Sequence, residues 1–457
     1  MPEVPRLLLA APASGGGKTT VVCAVLQVLK DRGADPVAFK SGPDYIDPMF
    51  HAAVLGVPAY NLDLFLMGEG AVRRSLAVHG SGHGLSLLEG AMGFYDGMGL
   101  SERGSAYDLA RTTGTPVVLV LDVRRQALTA AALVKGMAAF RPDAPIRGVL
   151  FNRCSPMLYP QLKEAVERET ALPVLGYLPH LPECALESRH LGLVTAGELT
   201  NLRETLRKLA RQAEETIDLE GLLALSRSAP ALEIPSRTLP DPPARRPTIA
   251  VAKDRAFCFY YADALSLLEE LGAELVEFSP LEDQALPEGC SGLYLGGGYP
   301  ELYAEQLSQN TTLLEQIRRA VADGMPTVAE CGGFLYLHRH LAGADGAEAP
   351  LAGMFPGRAW NRGKLGRFGY VTLTARKGGL LCEEGETLPA HEFHYWESDG
   401  PGGDFHAQKP LSGRNWDCAY HTPTLYAGFP HLHFGGCPEA AARFVAACAR
   451  YERGREG

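Results

Sequence analysis

The sequence predicts an α/β protein built as two domains in series. Three observations predict it. Short, continuous apolar runs recur along the chain and alternate with segments of helical period. Acids and glycines sit at the ends of those runs. A proline-rich stretch over residues 228–247 breaks the rhythm, which restarts at residue 248. Continuous apolar strands alternating with helices imply a parallel sheet covered on both faces. In such sheets ligands gather at the carboxyl ends of the strands, where these acids and glycines lie.

The elements follow in order. Residues 6–11 form a first apolar run that ends in glycines. From Thr20 to Lys30 the apolar positions Val21, Val22, Val25, Val28 and Leu29 fit a helix packed on one face. Residues 36–39 read as a second strand, and residues 85–89 and 116–122 as two more, each closing on an acid. Residues 146–151 and 174–178 repeat the pattern. Pro230, Pro235, Pro240, Pro242, Pro243 and Pro247 then exclude helix or central strand, so residues 228–247 read as an extended linker. The expected domains are residues 1–227 and 248–457. Beyond the linker, residues 248–252, 274–278, 292–295 and 326–329 read as strands, with a helix over 261–271.

Composition bounds the functional class. Among 457 residues, 46% are hydrophobic and 21% charged, which excludes a disordered chain, a coiled coil or a collagen-like repeat. A net charge of −10 supplies no globally basic face for nucleic acid. None of the ten cysteines stands in a C-x-x-C pair, so they read as reduced, buried thiols. Cys331 is the exception taken up below. No apolar run approaches the length of a membrane span, and residues 7–11 are too short for a signal peptide. The expectation is a cytoplasmic protein with no membrane and no nucleic-acid partner.

Gly15-Gly16-Gly17-Lys18-Thr19-Thr20 follows a strand and opens a helix, the context of a phosphate-binding loop. Glycine N–H groups surround phosphate oxygens there, and the helix amino terminus favours their charge. Lys18 is placed to reach the outer phosphates of a nucleotide and Thr19 to ligate Mg²⁺. Pro12 stands where the first glycine of G-x-x-x-x-G-K-T belongs. Glu89 closes a strand and is the second candidate for the magnesium ion, which takes oxygen ligands; Asp122 is a weaker one. Lys40, Asp44, Tyr45 and Asp47 cluster in a proline- and glycine-rigidified loop after the second strand. Asp96 lies in a similar loop past the strand that ends at Glu89. These residues suggest a substrate edge beside the phosphates.

In Val328-Ala329-Glu330-Cys331-Gly332-Gly333-Phe334 a cysteine stands between a strand and a helix. Such a turn lifts a nucleophile out of a sheet, and a helix amino terminus is expected to lower the thiol pKa. A thiolate needs a base. His431 and His433, in Phe429-Pro430-His431-Leu432-His433-Phe434, share one side of an extended segment. One is placed to activate Cys331 and the other to orient it or take another role. Gly296-Gly297-Gly298 ends another strand, and the N–H groups of Gly297 and Gly298 are candidates for an oxyanion hole. His391-Glu392-Phe393-His394 lacks a metal-spaced partner and reads as structural or substrate-contacting. Arg358, Arg362, Lys364 and Arg367 form a basic run that suits either a polycarboxylate or solvent.

On these motifs the whole chain resembles the cobyrinic and hydrogenobyrinic acid a,c-diamide synthase family. The most specific segments are Phe39-Lys40-Ser41-Gly42-Pro43-Asp44-Tyr45-Ile46-Asp47-Pro48, Glu89-Gly90-Ala91-Met92-Gly93, Gly296-Gly297-Gly298-Tyr299-Pro300-Glu301, Ala329-Glu330-Cys331-Gly332-Gly333 and His431-Leu432-His433-Phe434. The resemblance implies a dethiobiotin-synthetase-like phosphate-loop domain followed by a class I glutamine amidotransferase domain. It also implies a ligase reaction in which Cys331, with His431 as base, releases ammonia from L-glutamine. MgATP then activates an acetate carboxylate of the corrinoid as an acyl phosphate. Lys40, Asp44, Tyr45, Asp47 and Asp96 become the substrate-side candidates. In the wider class I group a glutamate stands two places after the histidine; here that place holds His433. Cobyric acid synthase, an amidase of nickel sirohydrochlorin and a phosphate-loop partition ATPase are the competing readings. Enzymes of this size often form homodimers, and the sequence leaves that open.

Overall fold

The computed structural model describes residues 3–184 and 196–456. The chain divides into two compact units, one of Met1–Leu64 with Gly68–Ser236 and one of Phe65–Met67 with Arg237–Gly457. Residues 230–247 carry neither helix nor strand. Their prolines supply the reason, since each lacks the N–H a ladder or helix needs.

The first unit is built on a seven-stranded sheet. Its strands are β1 (Arg6–Ala10), β2 (Pro36–Ser41), β3 (Ala59–Leu62), β4 (Leu85–Glu89), β5 (Val117–Asp122), β6 (Ile146–Asn152) and β7 (Val174–Leu178), in the order β3-β2-β4-β1-β5-β6-β7. Every neighbouring pair is parallel. Leu7, Leu8 and Leu9 are all buried, so β1 is covered on both faces. Its continuous apolar run encodes that environment. The helix after β1 is α1 (Lys18–Asp31), which packs Val21, Val22, Val25 and Leu29 into the core. β3 was not anticipated: four residues interrupted by Asn61 give no continuous apolar run, and parallel pairing with β2 alone makes them a strand. In the centre, β1 lies between β4 and β5, so the loops after β1, β2 and β4 leave from one edge.

The second unit combines a parallel core with antiparallel additions. Its six-stranded sheet runs Glu274–Phe278, Thr248–Ala252, Gly292–Leu295, Thr327–Glu330, Leu425–Gly428, Tyr420–Thr422. All neighbours are parallel except the last pair. Four of these strands were expected. Between Gly332–Tyr336 and Leu425–Gly428 lie strands the α/β rhythm did not reveal. Four of them join His431–Leu432, which follows Leu425–Gly428, in a five-stranded antiparallel sheet ordered Asn415–Cys418, Phe405–Gln408, Arg367–Ala375, Thr387–His394, His431–Leu432. Its alternating burial, as in Arg367–Ala375, is that of a sheet with one covered face.

Among the described residues, no helix is long and apolar enough to cross a membrane. All ten cysteines are free thiols, nine of them buried and Cys258 half-buried.

Candidate active sites

In the first unit the loop after β1 wraps into α1 through Gly15 (φ +77°) and Gly17 (φ +78°), backbone conformations that side chains resist. Gly17 has a second constraint. A Cβ there would lie 2.1 Å from Asn152 Nδ2, and that amide donates to the Gly16 carbonyl at 2.9 Å. Arg153, in the left-handed region at φ +55°, donates to the Gly15 carbonyl at 3.4 Å and to Asp122 at 2.8 Å. Asn152 and Arg153 were missed by the sequence reading, although two polar residues closing an apolar strand are a readable signal. Asp122 is committed to Arg153 and Arg124. Gly16 and Thr20 are half-buried on either side of the helix start.

Lys18 Nζ donates to the Met92 carbonyl at 2.5 Å. Burial lowers its pKa, Lys40 adds to that, and Glu89, Asp47 and Asp96 oppose it. Thr19 Oγ1 donates to Glu89 Oε1 at 2.7 Å, and Lys40 Nζ donates to the same oxygen at 2.9 Å. The sheet register causes this: Glu89 stands opposite Leu9 on one side and Lys40 on the other. Lys40 also reaches Asp47 at 2.5 Å and Asp44 at 3.9 Å. Burial opposes the charge on Lys40, but Glu89, Asp47 and Asp44 outweigh it and its pKa rises. Burial and the neighbouring Asp47 push Asp44 up to about 6, whereas Lys40 prevails over burial at Asp47 and lowers it. Thus Thr19, Glu89, Lys40, Asp44 and Asp47 form one network. Asn61 holds its loop by donating to the carbonyls of Gly42 and Asp44. Tyr45 is half-buried on that loop, and exposed Asp96 accepts from the Gly93 N–H at 3.1 Å on the other.

His51 was also missed. Its ring is 2% exposed, and Nε2 lies 4.0 Å from Glu89 Oε2. That oxygen is buried and accepts no hydrogen bond among the described residues. A threonine hydroxyl and a carboxylate with one unsatisfied oxygen are hard oxygen donors that suit Mg²⁺.

In the second unit Cys331 adopts φ 46°, ψ −97°, a conformation that costs a non-glycine residue about 1–3 kcal/mol. Its N–H donates to the Gly428 carbonyl at 2.8 Å. The flanking glycines make the turn possible. A Cβ on Gly332 would come within 2.9 Å of the Gly298 nitrogen, and one on Gly333 within 2.0 Å of the Leu295 carbonyl oxygen. Gly333→Ala is therefore expected to destabilise this unit by about 2–4 kcal/mol, read as a lowered midpoint in urea unfolding; an unchanged midpoint would contradict this packing.

Strand order assembles the site. Thr327–Glu330, which carries Cys331 at its end, lies between Gly292–Leu295 and Leu425–Gly428. The glycine turn follows the first neighbour and His431 follows the second. The turn is pinned by the Tyr260 hydroxyl, which accepts from the Gly296 N–H at 2.8 Å. Gly297 and Gly298 pair with Phe259 and Phe257 through an irregular register. A Cβ on Gly297 would meet His431 Cε1 at 2.5 Å, so imidazole, glycine turn and cysteine turn adjoin one another. His431 is held from the far side by pairing with His391.

One expectation is corrected here. The helix after Cys331, Gly332–Tyr336, is only one turn, and burial pushes the thiol up rather than down, with Glu301, Glu392 and Glu330 acting in the same direction. Activation therefore falls to a base. Of the two histidines, His433 has partners of its own away from the cysteine. Its Nε2 lies 3.3 Å from Asp263 Oδ1, its Nδ1 accepts from the Gly435 N–H, and its ring packs on Tyr261. The group facing His431 Nδ1 is Glu330, at 3.8 Å.

The other singled-out segments have plain roles. His394 stacks on Phe429 at 3.9 Å and hydrogen-bonds Glu392 and the Trp396 carbonyl. Among the described residues no cluster of three His, Cys, Asp or Glu side chains is set to hold a metal. Arg358 and Arg362 pair with Glu348 and Glu397, and Arg367 lies over the Trp416 ring.

Comparisons with known proteins agree with two such sites on one chain. Residues 7–194 match the CobQ/CobB/MinD/ParA nucleotide binding domain, and residues 248–437 match the CobB/CobQ-like glutamine amidotransferase domain. The chain is 38% identical over 451 residues to a cobyrinate a,c-diamide synthase of Caldanaerobacter subterraneus, covering 98% of this chain and 99% of the relative. It is 38% identical over 456 residues to the cobyrinate a,c-diamide synthase of Thermoplasma volcanium, covering 99% of each. The corresponding protein of Salmonella typhimurium is 38% identical over 459 residues, 97% of this chain and 98% of the relative. With a phosphate-loop unit and a cysteine-elbow unit aligned along almost its whole length, the chain belongs to the cobyrinate a,c-diamide synthase family.

Proposed function

We propose that this chain converts cobyrinate or hydrogenobyrinate to its a,c-diamide in cobalamin biosynthesis, with ATP and L-glutamine as co-substrates. The observation that carries the reading is the pairing of two complementary sites on one chain. A carboxylate is a poor acyl donor and needs phosphoryl activation; ammonia is largely protonated at neutral pH and is best made in place. Residues 1–227 serve as the amidoligase and residues 248–457 as the glutaminase.

In the glutaminase, Cys331 Sγ attacks the side-chain amide carbon of glutamine and gives its proton to His431. The N–H groups of Gly297 and Gly298 receive the developing oxyanion. The C–N bond breaks, the leaving nitrogen takes the proton from His431, and water hydrolyses the thioester to glutamate. In the amidoligase, Gly15, Gly16, Gly17, Lys18 and Thr20 bind the ATP phosphates, and Thr19 with Glu89 would hold Mg²⁺. That ion neutralises phosphate charge when bound. An acetate carboxylate of the corrinoid takes the γ-phosphoryl group and ADP leaves. Ammonia then attacks the acyl carbon, the C–O bond breaks and phosphate departs. Lys40, held by Asp44, Asp47 and Glu89, presents a cation to the incoming carboxylate, with Tyr45 and Asp96 on the adjoining loops. A second round amidates the other acetate. We take a homodimer as the working assembly, which light scattering tests.

The direct test offers cobyrinate, hydrogenobyrinate and nickel sirohydrochlorin in parallel, each with MgATP and glutamine, and follows products by mass spectrometry. The expected result is exchange of two carboxyl hydroxyls for amino groups on cobyrinate or hydrogenobyrinate. Amidation of nickel sirohydrochlorin alone, or ATP hydrolysis with no amide formed on any ring, would refute the reading.

A further inference from the structure

We propose that Glu330, the residue immediately before the nucleophile, is the positioning residue for His431 in glutamine hydrolysis, the role that the spacing alone would have given to position 433. The proposal rests on Cys331 and His431 acting as described above.

The geometry selects Glu330. Its Oε2 lies 3.8 Å from His431 Nδ1, with the carboxyl 1% and the imidazole 3% exposed. Both carboxyl oxygens are aimed by fixed donors: the Leu432 N–H reaches Oε1 at 3.0 Å and the Tyr294 hydroxyl reaches Oε2 at 3.4 Å. One of those donors is the residue after His431, so the peptide that carries the imidazole also holds the carboxyl. By contrast His433 is fully buried against Asp263 and Tyr261, on another side of the strand segment. Glu392 is committed to His394 and Trp416.

Burial is the dominant influence on both partners. It lowers His431 to about 3, with His391 and His394 acting in the same direction. It raises Glu330 to about 8 against the Leu432 and Tyr294 hydrogen bonds. Titratable groups that bear on the pair are therefore His391, His394, Tyr294 and, around Glu330, Cys331, Tyr260, Tyr426 and Cys437. A buried imidazole resists the proton of Cys331 unless a negative charge faces its other nitrogen. When the thiol proton moves to His431, the Glu330 carboxylate compensates the imidazolium and keeps Nδ1 toward itself and Nε2 toward the thiol. The carboxylate form exists above the Glu330 pKa, so kcat/KM for glutamine hydrolysis rises as pH increases through about 8.

The test uses the full chain and measures glutamine hydrolysis from pH 6 to 10, together with the rate of Cys331 alkylation by iodoacetamide. Glu330→Gln is expected to lower kcat by about 10²-fold with little change in the KM for glutamine. It should also slow alkylation and erase the ascending limb, whereas Glu330→Asp retains the limb at reduced kcat. A Glu330→Gln enzyme with wild-type kcat and an unchanged limb overturns the proposal, as does loss of the limb in His433→Gln instead. If Glu330→Gln fails to fold, Glu330→Asp decides: loss of the limb in a folded Asp variant also overturns it. Cys331→Ala separates the two levels. Glutamine hydrolysis retained in that variant defeats the nucleophile assignment, whereas an inactive Cys331→Ala beside a wild-type-like Glu330→Gln defeats only the role of Glu330.

Discussion

Cys331→Ala is expected to lower glutamine-dependent amidation by at least about 10³-fold while amidation from added ammonium salts persists. The size of the effect follows from what the side chain does. Without a sulfur nucleophile there is no thioester, and neighbouring donors cannot by themselves cleave an amide. The substitution also relieves little, because alanine at φ 46° meets the same backbone strain as cysteine. The pair of assays is the check, run on one preparation with glutamine or with ammonium chloride. Equal losses in both would mean the substitution damages the fold or that ammonia is not made at this site.

Lys18→Ala carries the second largest effect, because it acts on both nitrogen sources. Lys18 Nζ rests on the Met92 carbonyl, buried beside Glu89 and Lys40. In the proposed mechanism this cation stabilises charge that develops as the γ-phosphoryl group transfers. Its loss is expected to cost about 10²–10³-fold in amidation from either glutamine or ammonia, with glutamine hydrolysis measured alone left in place. Product analysis by mass spectrometry supplies the readout. ATP-dependent amide formation at the normal rate in this variant would remove the phosphate loop from the mechanism.

Much of the first unit was legible because a strand buried on both faces must be continuously apolar. Residues 85–89 and 116–122 were readable for that reason, and so were the glycines and Lys18 that follow β1. β3 escaped because Asn61 breaks its short run, although that asparagine ties the loop after β2 through the Gly42 and Asp44 carbonyls. In the second unit four of the five parallel strands were legible by the same rule, and Leu425–Gly428 was not. The inserted antiparallel strands were not, because their alternation is short, irregular and interrupted by turns.

The site residues divide along the same line. Cys331, Gly332 and Gly333 could be read as a turn because a cysteine and paired glycines between an apolar strand and a helical segment are a local pattern, and the Leu295 carbonyl and Gly298 nitrogen that leave no room for a Cβ there come from the neighbouring strand and turn. The direction of the thiol pKa could not be read, since burial outweighs a one-turn helix only once the surrounding sheet is in place. Lys40 and Glu89 stand 49 residues apart in sequence, and parallel register brings them together. His433 and Glu330 make the contrast sharpest. The H-x-H spacing placed both histidines on one side of an extended segment, yet Asp263 and Tyr261 claim His433, and Glu330 meets His431 from the end of a strand in another sheet. By itself the sequence determined two α/β units, a phosphate loop and a cysteine elbow, because each is a matter of local pattern and local sterics. Only the tertiary structure decided which carboxylate faces which base, because strand order and register, not spacing along the chain, set distances between buried charges.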